Sequence, residues 1–460
     1  PPPPVLLFVS VRSPFVYCFV SMSDLDLELP PEGTPASGNE SSFLVGKQTE
    51  GAVGGGGVVL PSPEVDETEE IVEETEGNSS ENASLEAFSD QWLLVPKHFF
   101  ILTQAGKPVF CSHGDIMKLA SLTAALSGII SFVADVGDEC RHISTGDGLQ
   151  IVFLVRGPLY YACVSRTGEP LPHLERQLAY MHAQVLSILT AGVNKILQRK
   201  AQYDLRILLG GTDLFLRALA DRFDVDPAIY LDAVKCLRIP PSVRSSISDA
   251  LKSSAHEHLL FSALMAKSQL VSLVRPKRFL LAPSDLHLLT NFVFTSLSFR
   301  SGESWTPICL PAFNEQGFLH AHVSFLADEV CLVLLSTSPD SFFALSQCKE
   351  RIASTLTSSG ALRVVEASLG RADFSVAETS VPPLLHFIYK SSATNQVCYP
   401  LIGAPYSRDD DKLRLLRLYQ SVHATLTGGH GVRVEESLAM AQDGDDREAL
   451  ASLEDQHKIF

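Results

Sequence analysis

Three times along this chain a short apolar hairpin runs straight into an amphipathic helix. The first copy reads HFFILTQAGKPVFCS from His98 to Ser112 and continues as DIMKLASLTAALSGIISFV from Asp115 to Val133. The second reads LLFSALMAKSQLVSLV from Leu259 to Val274, with a helix expected from Ser284 to Leu297. The third reads LLHFIYKSSATNQVCYPL from Leu384 to Leu401, with a helix starting near Asp409. Solenoid repeats recur every ~20–50 residues. These copies lie much farther apart, so each is a domain. One small fold used three times points to a scaffold and away from a single catalytic cleft.

The first copy can be followed to its end. Strand His98–Thr103, a turn over Gln104–Lys107 and strand Pro108–Cys111 form the hairpin, and Ser112 or Asp115 is placed to cap the next helix. Strands are expected at Glu139–Ser144, Leu149–Val155 and Leu159–Ser165, parted by the turn-formers Thr145–Gly148 and Arg156–Pro158. A helix over Leu171–Thr190 carries Leu178, Met181, Val185, Leu186 and Leu189 on one stripe, and a shorter helix follows to about Lys200. The order is ββαβββαα. The second copy repeats it, with strands at Trp305–Phe313, Phe318–Leu326 and Val330–Ser336 before a helix over Pro339–Leu356. Between the copies, Asp204–Ser254 reads mostly helical. The third copy shows its hairpin and first helix, and no strand triplet follows Gly428.

The expected class is therefore α+β, an α/β sandwich in three units. A disordered acidic segment spans 1–91, the first unit 92–203, a helical connector 204–256, the second unit 257–365, a partial third unit 366–428 and a divergent tail 429–460. Charge supports the first boundary. The net charge is −17, but between Met22 and Trp92 there are seventeen Asp and Glu against the single Lys47, so the excess sits there. Low hydrophobicity with like-charge repulsion predicts disorder. The folded remainder is near neutral and lacks the basic field of a nucleic-acid binder. The apolar run Val5–Val20 is broken by Arg12 and Pro14 and lacks a basic flank, so it reads as translated upstream sequence with the natural start at Met22. Nine scattered cysteines without a CxxC pair suit reduced thiols rather than a zinc ribbon.

The helix expected over Asp115–Val133 is the most informative. At 100° per residue Leu119, Leu122, Leu126, Ile129, Ile130 and Val133 share the face that covers a sheet. The opposite side holds Ala120, Ser121, Ala124, Ser127, Gly128 and Ser131. These residues are small and uncharged, and the only charges, Asp115 and Lys118, fall in the first turn. Such a smooth face admits another protein closely, or else lies under another part of the same chain. His256 with His258, and His320 with His322, have the spacing that puts two imidazoles on one strand face. A zinc site needs three or four ligands, and no HExxH or Cys pattern supplies them, so no metal or other cofactor is expected. No P-loop or GxSxG elbow occurs, GGGG at Gly54–Gly57 reads as linker, and no catalytic residue is assigned. Arg275, Lys277 and Arg278 form a compact basic cluster beside the second hairpin, suited to anionic lipid headgroups or to plain solvation. Lys412, Arg414 and Arg417 add charge on the third copy's helix.

The ββαβββαα order resembles the longin fold of trafficking proteins. Three such units after an acidic segment resemble the SAND (Mon-one) vacuolar-fusion family, most closely in KHFFILTQAGKPVFCSHGD, GDGLQIVFLVRGPLYYACVSRTGEP, QYDLRILLGGTD and AKSQLVSLVRPKRFLLAPSDLHLL. The resemblance covers about Trp92 to Gly428, and the remaining residues depart from it. It implies a subunit that pairs with a second tri-longin protein of the Ccz-one type. Together they form the guanine nucleotide exchange factor of a late-endosomal Rab GTPase, cytoplasmic and recruited peripherally to phosphoinositide-bearing late-endosomal or vacuolar membranes. It also implies a Rab- and partner-binding surface on the first longin domain, which would include Lys118, Ala120, Ser121, Ala124, Ser127, Gly128 and Ser131. Membrane contact would fall to Arg275, Lys277 and Arg278, and the acidic segment would be regulatory. The competing expectation is a passive longin adaptor or tether.

Overall fold

The computed structural model describes residues 5–11, 92–199, 205–379 and 384–427, apart from the single positions 93, 117 and 372. Most of the segment expected to be disordered, and the whole tail from 429, lie outside the described residues. Val5–Val11 depart from that expectation and form a strand, β1.

The first unit follows as β2 (Lys97–Thr103), β3 (Pro108–Cys111), α1 (Ala120–Asp135), β4 (His142–Ser144), β5 (Gln150–Arg156), β6 (Leu159–Ser165), α2 (Leu171–Leu189) and α3 (Gly192–Arg199). Its five strands form an antiparallel sheet in the order β3-β2-β6-β5-β4. Every residue of β2 is buried, because β2 is central and both faces of the sheet are covered. Phe100, Leu102, Phe153 and Tyr160 pack under Leu119, Leu126 and Ile130 of the α1 segment. Phe99, Ile101, Val152 and Tyr161 pack on the other face against Leu174, Leu178, Met181 and Val185 of α2. Pro172 sits in the first turn of α2, where a missing N–H costs nothing.

Helix α1 starts five residues later than the sequence suggested. Gly114 has φ +85 and a Cβ there would lie 2.9 Å from the Trp92 ring. The Trp92 indole N–H donates to the His113 carbonyl at 3.1 Å. Residues 118 and 119 are still in a turn, and the helix begins at Ala120.

The connector contains α4 (Leu205–Leu209), α5 (Asp213–Phe223), α6 (Pro227–Tyr230), β7 (Val234–Lys235) and α7 (Pro241–Ser253). Its strand was not expected, since two residues carry no period-2 signal. The second unit is β8 (Leu259–Ala266), β9 (Gln269–Val274), α8 (Pro283–Thr295), β10 (Glu303–Leu310), α9 (Pro311–Asn314), β11 (Glu315–Ala327), β12 (Val330–Ser336), α10 (Phe342–Ser358) and α11 (Ala361–Leu369). Its sheet order, β10-β11-β12-β8-β9, is that of the first unit read from the opposite edge. The third unit contributes β13 (Leu384–Ser391), β14 (Gln396–Cys398) and α12 (Asp409–Thr427). Its sheet runs β1-β13-β14-β7, so two of its four strands come from elsewhere in the chain. β1 lies parallel to β13, whereas in the other units the strand at that place, β6 or β12, is antiparallel.

Two features fasten the units together. The connector is stitched to both neighbours: β7 pairs with β14, the next residue, Cys236, bridges to Leu270 of β9, and the Leu231 carbonyl accepts from the Lys390 ammonium. A buried polar network joins the first and third units. Lys97 (4% exposed) donates to Glu169 (2% exposed) at 2.8 Å and to Asp224 at 2.6 Å. Glu169 also accepts from Gln177 at 2.7 Å and from Gln420 of α12 at 3.1 Å. Burial alone would lower the Lys97 ammonium's pKa, but Glu169 and Asp224 outweigh it and hold the pKa above its ordinary value. Burial likewise opposes ionisation of Glu169, yet Lys97 and the donated hydrogen bonds keep its carboxyl below the usual range. Both groups are therefore charged, and removing one strands the other at a cost of about 3–5 kcal/mol.

Candidate functional site

Helix α1 lies on the outside of the first unit. Ala120, Ser121, Ala124, Ala125 and Gly128 are exposed, as is Lys118 in the preceding turn. A Cβ on Gly128 would meet nothing within 4 Å. At the C-terminal end Phe132 is 73% exposed and Val136 72%. From Ala120 to Ala134 there is no charged residue; Asp135, Asp138 and Glu139 follow as an acidic rim. Beyond them β4 forms the end of the sheet, its outer side unpaired among the described residues. Burying an exposed Phe or Val side chain fully is worth ~1.5–3 kcal/mol. This face therefore gains by being covered, and no charge has to be desolvated in the process.

Two expectations about this helix need correction. Ser127 is buried, and its hydroxyl lies 3.5 Å from where a Cβ on Gly106 would stand. Ser131 is only half-exposed. The buried stripe is Leu119, Thr123, Leu126, Ser127 and Ile130, about one residue around the helix from the expected one. Small hydroxyl residues fit there because the Gly106 turn leaves room and the Thr123 hydroxyl donates to the Ala120 carbonyl at 3.0 Å. Leu122, Ile129 and Val133, expected on the core side, are half-buried at its margin.

The basic cluster is divided. The Arg275 guanidinium folds back and donates to the Phe279 carbonyl at 2.9 Å, so it organises its own loop. Lys277 and Arg278 point outward, and Arg278 stacks on Phe279 at 4.8 Å. Lys412 pairs with Asp409 at 2.8 Å. The histidine pairs have protein partners. His322 bonds Glu303 at 2.8 Å, and His320 stacks on Trp305 with centroids 5.6 Å apart. His258 lies 3.1 Å from Glu257.

A cleft of about 360 Å³ opens between β3 and α4–α5, lined by Phe110, Ile116, Leu209, Leu216, Arg206 and Arg217. Arg217 donates to the Ser112 carbonyl, lies 3.6 Å from the Asp213 carboxylate and stands over the Phe110 ring, so its charge is already engaged. No helix among the described residues is long and apolar enough to cross a membrane.

Comparison with known proteins accounts for the threefold repeat. Residues 97–219 match the family described as the first longin domain of FUZ, MON1 and HPS1, 257–354 the second, and 383–458 the third. The third match runs to 458, past residue 428 where the sequence reading ended that unit. The chain is 40% identical over 371 residues to Vacuolar fusion protein MON1 homolog A of Gallus gallus, covering 80% of this chain and 66% of the relative. It is 40% identical over 341 residues to Protein SAND of Takifugu rubripes, covering 74% and 65%. It is 36% identical over 365 residues to Vacuolar fusion protein MON1 homolog of Arabidopsis thaliana, covering 74% and 60%. The chain thus spans about two thirds or less of the length of these relatives. With three longin units in family order and this identity across most of its length, the chain belongs to the MON1/SAND family of vacuolar fusion proteins.

Proposed function

We propose that this chain is one subunit of a heterodimeric guanine nucleotide exchange factor that promotes GDP release from a late-endosomal Rab GTPase, in endosome maturation and vacuole fusion. The observation that carries the reading is the bare, uncharged face of α1 ending in exposed Phe132 and Val136. A second tri-longin protein of the Ccz-one type covers part of that face, and the two first longin domains together bind the Rab. Exchange needs no bond-making groups. The complex binds the nucleotide-free Rab more tightly than the loaded one, and this difference lowers nucleotide affinity. Lys277 and Arg278 meet phosphoinositide headgroups, each adding roughly 1 kcal/mol near the surface, which recruits the complex peripherally. The names of the relatives, which link them to vacuolar fusion, support the same setting.

The test is release of fluorescent GDP from a panel of Rab GTPases by this chain co-expressed with its tri-longin partner. Selective acceleration on the late-endosomal Rab is the expected result. An intact, co-purified complex that accelerates none of them sinks the exchange reading and leaves a non-catalytic longin adaptor in its place.

A further inference from the structure

The parallel pairing of β7 with β14 ends one step short of a cysteine on each strand. Val234 stands opposite Gln396 and Lys235 opposite Val397, so the next step of the register brings Cys236 alongside Cys398. Both residues are extended: Cys398 closes β14, where it pairs with Tyr389, and Cys236 makes the parallel bridge to Leu270. Side-chain alternation puts them on the same face. Lys235 and Val397 share the other face, with the Lys235 ammonium 4.1 Å over the ring of Tyr399, two residues beyond Val397. Cys236 packs against the second core from its own side, and both cysteines are half-buried. Neighbouring strands run about 4.7–4.9 Å apart, and disulfides form across Cα separations of about 4.4–6.8 Å. One further step at the ladder's spacing would put the two Cα atoms within that range.

We propose that Cys236 and Cys398 form a redox-sensitive disulfide that locks the connector to the third longin unit. The oxidant is a peroxide. One thiolate attacks the O–O bond, taking one oxygen as a sulfenic acid and releasing hydroxide. The other sulfur attacks the sulfenic sulfur and expels the second oxygen. Two thiols and one hydrogen peroxide give one disulfide and two waters, the electron pair passing from sulfur to peroxide. A dithiol reductant reverses the step. The bond closes a loop containing the whole second unit, so it restrains the connector and the second and third units relative to one another.

The other sheet cysteines face no thiol along their pairings. Cys111 stands opposite Phe100, Cys163 opposite Phe99 and Val152, and Cys331 opposite Phe325 and Met265. Burial also pushes the Cys111 thiol up to about 11 and the Cys309 thiol up to about 12, which keeps them protonated and slow to react.

The experiment treats the full-length chain with hydrogen peroxide, alkylates the remaining thiols and maps disulfides by mass spectrometry without reduction. The expected result is one dominant linked peptide pair carrying Cys236 and Cys398, which dithiothreitol removes. A rise of the thermal midpoint on oxidation should accompany it in the wild type and be lost in both C236S and C398S. Alkylation of both thiols after peroxide, or a dominant link through other cysteines, overturns the proposal. Because the wild-type map decides the matter alone, poor folding of either variant leaves the test intact.

Discussion

Helices α1 and α8 occupy the same place in two copies of one fold, yet they have opposite surroundings. Each follows the hairpin of its unit and covers one face of its sheet. The far side of α8 is buried as well: Leu289 and Val293 pack into the second core while the neighbouring Leu288 packs into the first. Its polar groups have dedicated partners, as buried groups require. Asn291 donates to Gln184 at 2.9 Å and to the Phe215 carbonyl at 2.8 Å, and the His287 ring bonds the Ala233 carbonyl at 2.8 Å. The far side of α1 carries Ala120, Ser121, Ala124 and Gly128, exposed, with no carboxylate, amide or imidazole among them. This helix position is thus one whose far side the fold can cover, as the packing of α8 shows. In the second unit the chain covers it with its own residues. In the first it stays bare among the described residues, and its composition lets it be covered without burying a charge, an amide or an imidazole.

The largest expected effect tests the bare side. Ala124→Arg with Gly128→Arg should abolish co-purification with the tri-longin partner, since two guanidinium groups would have to be buried without counter-charges. The stability of the chain alone should stay within ~0.5 kcal/mol, as for most exposed substitutions. If the complex survives both changes, α1 is plain surface and the contrast with α8 loses its meaning. The covered side comes next. Leu288→Ala should cost about 2–5 kcal/mol, the range for a fully buried leucine, read as a lowered denaturant midpoint. A cost below ~0.5 kcal/mol would mean that α8 does not hold the first two units together.

Acid sharpens the same contrast, because the covered joints hold histidines and the bare face has none. His287 sits on α8, and His173 and His423 meet where the first and third units join, ring centroids 5.4 Å apart. Burial lowers His173 to about 4 and, with the neighbouring His173, Arg176 and Lys390, lowers His423 to about 3. Both folded-state values lie below the ordinary 6.5, so as pH falls from 6.5 toward 4 the unfolded chain takes up protons that the folded chain refuses. Stability should therefore fall across that window. His423→Phe should flatten the slope, a difference that melting curves at half-unit pH steps would resolve. An unchanged slope would place the acid sensitivity elsewhere.

The sequence made some of this contrast legible. The strands of the first two units, their succession along the chain and the uncharged side of α1 follow from local periodicity, and β3, β6 and β12 end where the turn residues place them. The rotation of α1 does not. It depends on Trp92 holding Gly114 in a turn and on the space left at Gly106, which are contacts between residues far apart in the chain. The fate of α8 was equally hidden. LHLLTNFVF is apolar on most sides, which signals burial without naming the covering partner, here α2 and α5. The role of the connector lies in pairings with β9 and β14 that two-residue β7 could not announce.

The smallest stability effect is the most diagnostic. Phe132 is 73% exposed, so the folded chain gains little from it, and Phe132→Ser should shift the thermal midpoint of the isolated protein hardly at all, within ~0.5 kcal/mol. An aromatic side chain at the edge of a smooth face is the kind of group that becomes an interface anchor, and removing an anchor costs more than ~1 kcal/mol of binding. Partner affinity should therefore fall roughly fivefold or more, each tenfold being about 1.4 kcal/mol, while the melt stays put. A residue in α8 cannot behave this way, because there the same burial is already part of folding. If Phe132→Ser instead destabilised the isolated chain and left partner affinity intact, α1 would be an ordinary structural helix like its counterpart. The asymmetry between the two units would then be a matter of packing alone.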